Sequence, residues 1–177
     1  MKRILSFVTV LCLLAAFCVS AFAEEVVLKE LDETYNVVII SDEKFNIEVI
    51  ESEHEDVDCW IIDDGVHAPV NLAIAPSEIV GGVSLSDYSE EEQMMLAEMA
   101  GAMFENPEIH LDTTPSGNLY IHICSNEQSD IDSIFTIYKG YFVELLQHKD
   151  DFSQLSDEDR AYCLSILHAI EFVEKAA

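Results

Sequence analysis

Two turn sequences constrain the fold of this chain more than any other feature, because each fixes the pairing of the strands beside it. The first is Thr114–Asn118, which reads Thr-Pro-Ser-Gly-Asn. Pro115 suits the second position of a type I turn, and Gly117 supplies the left-handed residue of a three-residue hairpin loop. Pairing continues outward from this loop, so we expect His110 to lie opposite His122, with the apolar residues of both strands on one face. That predicted core face comprises Ile109, Leu111, Leu119, Ile121 and Ile123.

The second turn is Lys139-Gly140, and it places Tyr138 opposite Tyr141. The strands on either side of this turn are mostly apolar on both faces, with Glu144 as an exception. Strands of this kind are covered on both sides. We therefore expect this hairpin to lie in the centre of a sheet.

Helix signatures separate and follow the hairpins. Ser89 and Glu92 match a capping box, and the helix that they open is predicted to run until Asn106-Pro107 stops it. A second capping signature at Ser156 opens a helix predicted to run toward Phe172. The residues of the first helix that recur at helical spacing, and are predicted to face the core, are Met95, Leu96, Met99, Ala102 and Met103. The alternative for the methionines is an adaptable binding face.

The order of the elements predicts the fold class. Before the first helix, β-branched or alternating runs predict four strands, at residues 35–40, 45–50, 57–62 and 70–75. This order of four strands, a helix, two hairpins and a final helix is typical of an α+β fold. We therefore predict a largely antiparallel β-sheet with helices packed on its faces. The sequence has no internal repeat and no linker-like tract, so residues 24–177 are expected to form a single domain.

The N-terminal segment predicts export. Lys2-Arg3 precedes an apolar run from Ile4 to Ala16, which is too short to span and hold a bilayer, and Ala21-Phe22-Ala23 follows. This is the pattern of a Sec-type signal peptide at residues 1–23, cleaved after Ala23, and it predicts a secreted or extracytoplasmic protein. Lipoprotein processing at Cys18 and a retained membrane anchor are the alternatives.

The formal net charge of −27 narrows the classes of partner. The chain has 35 acidic residues against eight basic ones, and Lys2 and Arg3 lie in the predicted signal peptide. Nucleic acids and anionic lipids are bound mainly through Lys and Arg at their phosphates. We therefore expect no nucleic-acid partner and no membrane insertion after signal cleavage. The expected partner is a protein or a cation outside the cytoplasm.

The C-terminal third of the chain resembles a known family. The segment Ile137–Leu145 reads Ile-Tyr-Lys-Gly-Tyr-Phe-Val-Glu-Leu, Leu155–Asp159 reads Leu-Ser-Asp-Glu-Asp, and Ile166–Phe172 reads Ile-Leu-His-Ala-Ile-Glu-Phe. These three segments are similar to the hairpin, the helix start and the closing segment of secreted bacterial PsbP-like domains. The resemblance extends over about Ser133 to Val173, and implies a PsbP-like α+β domain that serves as an exported, non-enzymatic assembly or binding factor.

The best-defined candidate site is a metal site formed by His110 and His122. Residues directly opposite each other on paired strands have Cβ atoms about 4.5–5.5 Å apart, which lets two imidazoles share a zinc or copper ion. Asp112 or Glu108 offers a further ligand, and Cys124 lies on the same predicted face. The alternative is a half-exposed polar strand face that binds nothing.

Other candidates are weaker. The acidic segment 126–132 offers oxygen ligands for Ca²⁺, but it lacks the glycine and the late glutamate of an EF-hand loop. Cys59 and Cys163 lie in apolar stretches, where burial disfavours a reactive thiolate. Together with Cys124 they allow one disulfide in any of three pairings, or three buried thiols.

The sequence therefore predicts an exported, non-enzymatic binding or assembly protein without a cofactor. It contains no G-x-S-x-G, H-E-x-x-H or phosphate-binding glycine loop. The alternative is a metal-binding protein or a metal-dependent hydrolase that uses His110 and His122 with Asp112, with Zn²⁺ or Ca²⁺ as the ion.

Overall fold

The computed structural model of the chain describes residues 24–30, 35–41, 45–52, 54–76, 83–104, 106–125, 131–149 and 153–175. The predicted signal peptide and most of the acidic segment 126–132 lie outside these ranges. The described residues fall into two compact units, which are separated between Lys44 and Phe45 and between Ala169 and Ile170. None of the helices in these ranges has the length and apolar character needed to cross a membrane. The single domain over residues 24–177 stays a prediction.

In chain order, the strands of the described residues are β1 (Glu24–Glu30), β2 (Tyr35–Ser41), β3 (Asn46–Ile50), β4 (Asp58–Asp63), β5 (Val70–Pro76), β6 (Pro107–Thr113), β7 (Leu119–Ser125), β8 (Ile131–Tyr138), β9 (Tyr141–His148) and β10 (Ile170–Glu174). The helices are α1 (Glu90–Gly101) and α2 (Asp157–Ala169), and a 3₁₀ turn covers Leu85–Asp87.

The smaller unit is a three-stranded antiparallel sheet in the order β1-β2-β10. Its central strand, β2, carries the buried side chains of Val37, Val38 and Ile39. The register of β1 against β2 shifts between Val27 and Lys29. β2 was predicted from its β-branched run, whereas β1 and β10 were not.

The larger unit contains a seven-stranded sheet in the order β3-β4-β5-β9-β8-β7-β6. Every neighbouring pair of strands is antiparallel. The β8–β9 hairpin lies inside this sheet and not at an edge, which confirms its predicted central position. Two antiparallel sheets with two helices confirm the α+β class for the described residues.

The two helices cover opposite faces of the larger sheet. α1 packs on the face that carries Ile121 and Ile123, where a hydrophobic cluster forms with Leu85 and Ala97. α2 lies on the other face, where the ring of its His168 contacts the ring of Tyr120 on β7. The neighbouring even-numbered residues of β7, His122 and Cys124, therefore lie on the side of α2.

Both hairpin registers predicted from the turns are confirmed. In the first hairpin, Gly117 has φ of 87° and the Thr114 amide donates to the Asn118 carbonyl, so His110 pairs with His122. In the second, Lys139 and Gly140 both have positive φ, and Tyr138 pairs with Tyr141. Positive φ at both central residues defines a type I′ turn, whose twist matches that of the flanking strands.

The predicted caps are also confirmed at their starting residues. The Glu92 carboxylate accepts from the Ser89 amide and hydroxyl, and the Ser89 oxygen accepts from the Glu92 amide. Ser156 and Asp159 form the equivalent reciprocal pair at the start of α2. Local side-chain bonding to the first amides therefore sets where each helix begins.

The predicted helix ends were wrong. α1 stops at Gly101, not at Asn106-Pro107, because the amides of Met103 and Phe104 bond three residues back, to the carbonyls of Ala100 and Gly101, and so form a turn. α2 stops at Ala169, and Phe172 belongs to β10, where it pairs with Val37 of β2. Strand pairing thus takes over residues that the apolar spacing assigned to a helix.

The predicted core face of the first helix was also wrong for its methionines. The side chains of Met95, Met99 and Met103, which were predicted to face the core, are between 54% and 79% exposed, and that of Met94, which was not, is 44% exposed. The helix instead buries Ala97 and Gly101, with Leu96 and Ala100 packed against the same cluster. Small residues let the helix approach the sheet closely, which turns the methionines toward solvent. These four exposed residues are called the methionine face below.

Candidate metal site

The polar face of strands β6, β7 and β8 gathers histidine, cysteine and carboxylate side chains. β6 contributes Glu108 and His110, β7 contributes His122 and Cys124, and β8 contributes Asp132. Cross-strand pairing places Glu108 opposite Cys124, His110 opposite His122, and Cys124 opposite Asp132. The rings of the two histidines lie 6.2 Å apart, centroid to centroid.

These five side chains form two sets of possible metal ligands that share one cysteine. In each set, the ligand atoms lie within 4.8 Å of one another. The inner group is His122, Cys124 and Asp132, and the outer group is Glu108, His110 and Cys124. The predicted histidine pair therefore lies across the two groups and does not form one site by itself.

The inner group is buried. The side chain of Asp132 has no exposed surface and that of His122 is 15% exposed, while Cys124 is also buried. His122 Nε2 and Asp132 Oδ1 are 2.8 Å apart, so a hydrogen bond links the two side chains. The other carboxylate oxygen, Oδ2 of Asp132, is buried without a hydrogen-bond partner among the described residues.

A second buried acceptor lies beside this carboxylate. Gln147 is the cross-strand partner of Asp132 on β9 and is fully buried. Its side-chain nitrogen donates to the Ala68 carbonyl, but its Oε1 has no partner among the described residues. Burying an oxygen without a hydrogen-bond donor costs free energy. Two such oxygens on cross-strand partners therefore favour a positive charge or additional donors beside them.

The electrostatics of the cysteines point to thiols, not thiolates, in the protein without a bound cation. Burial raises the pKa of Cys124, Asp132 raises it further, Arg160 lowers it, and Glu108 adds a smaller upward effect. Burial also raises the pKa of Cys163, with a further contribution from Asp132. A raised pKa disfavours a nucleophilic thiolate. A bound metal ion removes this obstacle, because a coordinating thiol loses its proton.

The remaining predicted ligand, Asp112, belongs to neither group. Its Oδ1 accepts from the Thr113 amide at 2.7 Å. Its charge acts on Tyr120, whose pKa is raised first by burial and then by Asp112. The carboxylates that join the histidines in the described residues are Glu108 and Asp132.

Sequence reasoning missed Asp132 as a partner of His122. It assigned that residue to a possible Ca²⁺ loop at 126–132, whereas Asp132 lies on β8. The register between β7 and β8 is the missing information, since no short turn sequence connects these strands to fix it. The three cysteines considered for a disulfide, Cys59, Cys124 and Cys163, are free thiols in the structure.

No protein-family model fits the chain, and a search of curated proteins finds no significant relative.

Proposed function

We propose that this chain is an exported, non-enzymatic binding protein whose ligand is a transition-metal ion, Zn²⁺ foremost, held by His122, Cys124 and Asp132. The observation that carries the proposal is the buried Asp132 carboxylate. One of its oxygens meets His122 and the other meets no donor among the described residues. A buried carboxylate oxygen without a donor is a position that a bound cation can satisfy.

The chemistry of the three ligands suits Zn²⁺. Imidazole nitrogen, thiolate sulfur and carboxylate oxygen are the three ligand types that bind zinc in proteins, at about 2.0–2.3 Å. Atoms that already lie within 4.8 Å of one another need movements of about 1 Å to meet one ion. Ca²⁺ fits less well, because it takes six to eight oxygen ligands and the inner group offers one carboxylate.

The charge balance favours the same ion. A divalent ion, the Cys124 thiolate and the Asp132 carboxylate sum to zero, and His122 binds as a neutral imidazole. A neutral cluster is far cheaper to bury than the isolated carboxylate.

Burial favours binding over hydrolysis. A catalytic zinc keeps one position open to water and substrate, whereas a structural or storage site is closed by protein ligands. Every inner ligand is buried or nearly so, which leaves little room for a substrate. A metal-dependent hydrolase with His110 and His122 therefore has less support than a binding protein.

Export and family relationship belong to the same proposal and rest on the sequence. The signal-like segment at residues 1–23 supports a location outside the cytoplasm, where a scarce metal ion or a protein is an accessible partner. The resemblance of residues 133–173 to PsbP-like domains supports a non-enzymatic role in binding or assembly.

Thermal unfolding with Zn²⁺ tests the proposal. The protein is the chain without the predicted signal, residues 24–177, which keeps every described residue. At about 100 times the Kd, binding adds about 2.7 kcal/mol of stability, or roughly 5–10 °C in Tm for a chain of this size. Mg²⁺ serves as the control for screening of the acidic surface.

Variants assign the ligands. Cys124→Ser and Asp132→Asn should remove the Zn²⁺ shift, and binding to the wild type should release about one proton per ion from Cys124. Cys59→Ser is the matched control, because Cys59 is a free thiol outside both ligand groups. A Zn²⁺ shift equal to that of Mg²⁺, or one that survives in Cys124→Ser, contradicts the proposal.

The methionine face favours a second candidate function, the binding of a protein partner. Flexible, polarisable methionine side chains suit adaptable protein surfaces. Met95 and Met99 are four residues apart on α1 and both are exposed. Methionine footprinting tests this candidate: with a partner bound, peroxide should oxidise both residues more slowly in the cell envelope than in the purified chain. Equal rates of oxidation contradict it.

A further inference from the structure

The outer group forms an exposed extension of the buried inner group. The side chains of His110 and Glu108 are 57% and 50% exposed, whereas the inner ligands are buried. Both outer residues lie on β6, which is an edge strand of the seven-stranded sheet. Cys124 belongs to both groups, so a ligand atom of each group lies within 4.8 Å of it.

We infer that Glu108 and His110 form a loading site for this metal centre. They capture the ion from solvent and pass it through Cys124 to His122 and Asp132. The inference rests on the proposed function. In this inference the outer group binds the ion transiently. It sets the rate of metal binding, whereas the inner group sets the Kd.

The geometry of the outer pair suits capture of a hydrated ion. His110 Nε2 and Glu108 Oε2 lie 3.9 Å apart. At the tetrahedral angle, two ligands about 2.0–2.2 Å from a zinc ion are separated by roughly 3.3–3.6 Å, so a movement of a few tenths of an ångström lets both bind one ion. The exposed side leaves the remaining coordination positions to water.

Cys124 is oriented to accept the ion from this pair. Its Sγ points toward β6, where it donates to the Glu108 carbonyl oxygen at 3.9 Å. Glu108 is also its cross-strand partner, and His110 stands opposite His122 in the same ladder. Each outer ligand therefore faces an inner ligand directly across one strand pair.

Stepwise ligand exchange avoids a naked ion in the protein interior. The ion first binds Glu108 and His110, each of which displaces one water molecule. Bond formation to Cys124 then displaces another water, and the thiol proton leaves to solvent. His122 and Asp132 next replace the outer ligands, so the ion keeps protein or water ligands throughout, and no oxidation or reduction occurs. Direct transfer of a bare divalent ion into the buried site would carry a far larger desolvation cost.

Stopped-flow binding of Zn²⁺ to residues 24–177 tests the inference. In the double variant Glu108→Gln/His110→Gln, the association rate should fall about tenfold or more. The Kd should change by less than about threefold, or under about 0.7 kcal/mol. The rate of release to excess chelator should then fall by a similar factor, because the ratio of the two rates sets the Kd.

Asp112→Asn is the matched control. Asp112 lies on the same strand and is an exposed carboxylate outside both groups. It changes the charge of β6 without removing a ligand, so its association rate should match that of the wild type. A uniform slowing in Asp112→Asn and the double variant overturns the inference, since general attraction by the acidic surface would then account for both.

The other outcomes separate this inference from the proposed function. An unchanged association rate in the double variant, with normal Kd, overturns the loading site and leaves the inner site in place. A Kd weakened by 100-fold also overturns it, because Glu108 or His110 would then be a permanent ligand. A wild-type chain without saturable Zn²⁺ binding overturns the proposed function itself.

Discussion

Replacing Asp159 by asparagine is the sharpest test of how the larger unit is held together. This carboxylate is buried at the start of α2, where it accepts three hydrogen bonds and forms one ion pair. Its Oδ1 accepts from the Ala68 amide at 2.9 Å, and its Oδ2 accepts from the Ser156 amide and hydroxyl at 2.8 and 2.7 Å. Lys149 Nζ completes the set at 3.0 Å from Oδ2. One side chain therefore caps a helix and fastens it to the segment before β5.

The size of the effect follows from these contacts. Asparagine keeps the shape but turns one oxygen into a donor, so either the buried Ala68 amide or the Ser156 cap loses its acceptor. A buried amide without an acceptor costs about 1–3 kcal/mol, and loss of a cap costs about 0.5–2 kcal/mol. The partly exposed ion pair with Lys149 adds at most about 1 kcal/mol. We expect a total loss of about 1–4 kcal/mol.

Urea unfolding at several pH values measures the effect and its origin. With m of about 2 kcal/mol/M, the urea midpoint should fall by about 0.5–2 M at neutral pH. Burial alone raises the pKa of Asp159, but the amide of Ala68, the amide and hydroxyl of Ser156, and Lys149 together hold it well below its ordinary value.

The sign of the pH dependence follows from that lowered pKa. The stabilisation by Asp159 is fully present above the ordinary aspartate pKa of 3.8, and it is lost as the pH falls toward the lower pKa of the folded state. The gap between wild type and Asp159→Asn should therefore narrow in acid. Asp157→Asn is the control: it removes the same charge from the same helical turn, but at an exposed position, and should cost under about 1 kcal/mol. A similar loss in both variants, or a gap that does not vary with pH, would refute the reasoning.

Three further predictions concern other parts of the fold. Burial raises the pKa of Glu144, against a smaller lowering by Ser133, so the ionised form is disfavoured in the folded state. Stability should therefore fall as the pH rises through the raised pKa, and Glu144→Gln should raise the urea midpoint at neutral pH but not at about pH 4. Gly117→Ala should cost about 1–2 kcal/mol in urea unfolding, because φ is 87° in open surroundings; an unchanged midpoint would mean that the turn relaxes. Met95→Gln/Met99→Gln should stay within about 0.5 kcal/mol of wild type by calorimetry, whereas core positions would lose at least about 2 kcal/mol.

Features set by neighbouring residues were predictable from the sequence. A type I′ turn at Lys139-Gly140 imposes its register on both strands, whatever the rest of the chain does. A capping box acts within four residues, so Ser89 and Ser156 marked the helix starts correctly. The central position of the β8–β9 hairpin followed from its two apolar faces, since such strands are covered on both sides.

Features set by distant pairing were not predictable in the same way. Ile170, Phe172 and Val173 continue an apolar pattern at the end of a helix, and only pairing with β2 makes them a strand. The face that α1 turns toward the sheet follows from the close approach of Ile109 to Gly101. The spacing of the methionines does not reveal this approach. Tertiary contacts therefore override helical periodicity at the end of α2 and in the choice of the buried face of α1.

Burial distinguishes two aspartates, Asp132 and Asp159, from the other acidic residues of the described part of the chain. In a chain with 35 acidic residues, no single carboxylate is diagnostic by sequence. Among the described residues, Asp132 and Asp159 are the buried acids, and their surroundings differ. Asp159 has two amides, a hydroxyl and an ammonium group around it, so the fold accounts for it fully. Asp132 has His122 on one oxygen and no donor on the other among the described residues, so the fold accounts for only one of its two oxygens. The same physical rule therefore identifies Asp159 as a structural residue, and it leaves Asp132 as the buried carboxylate whose second oxygen the proposed metal ion would satisfy.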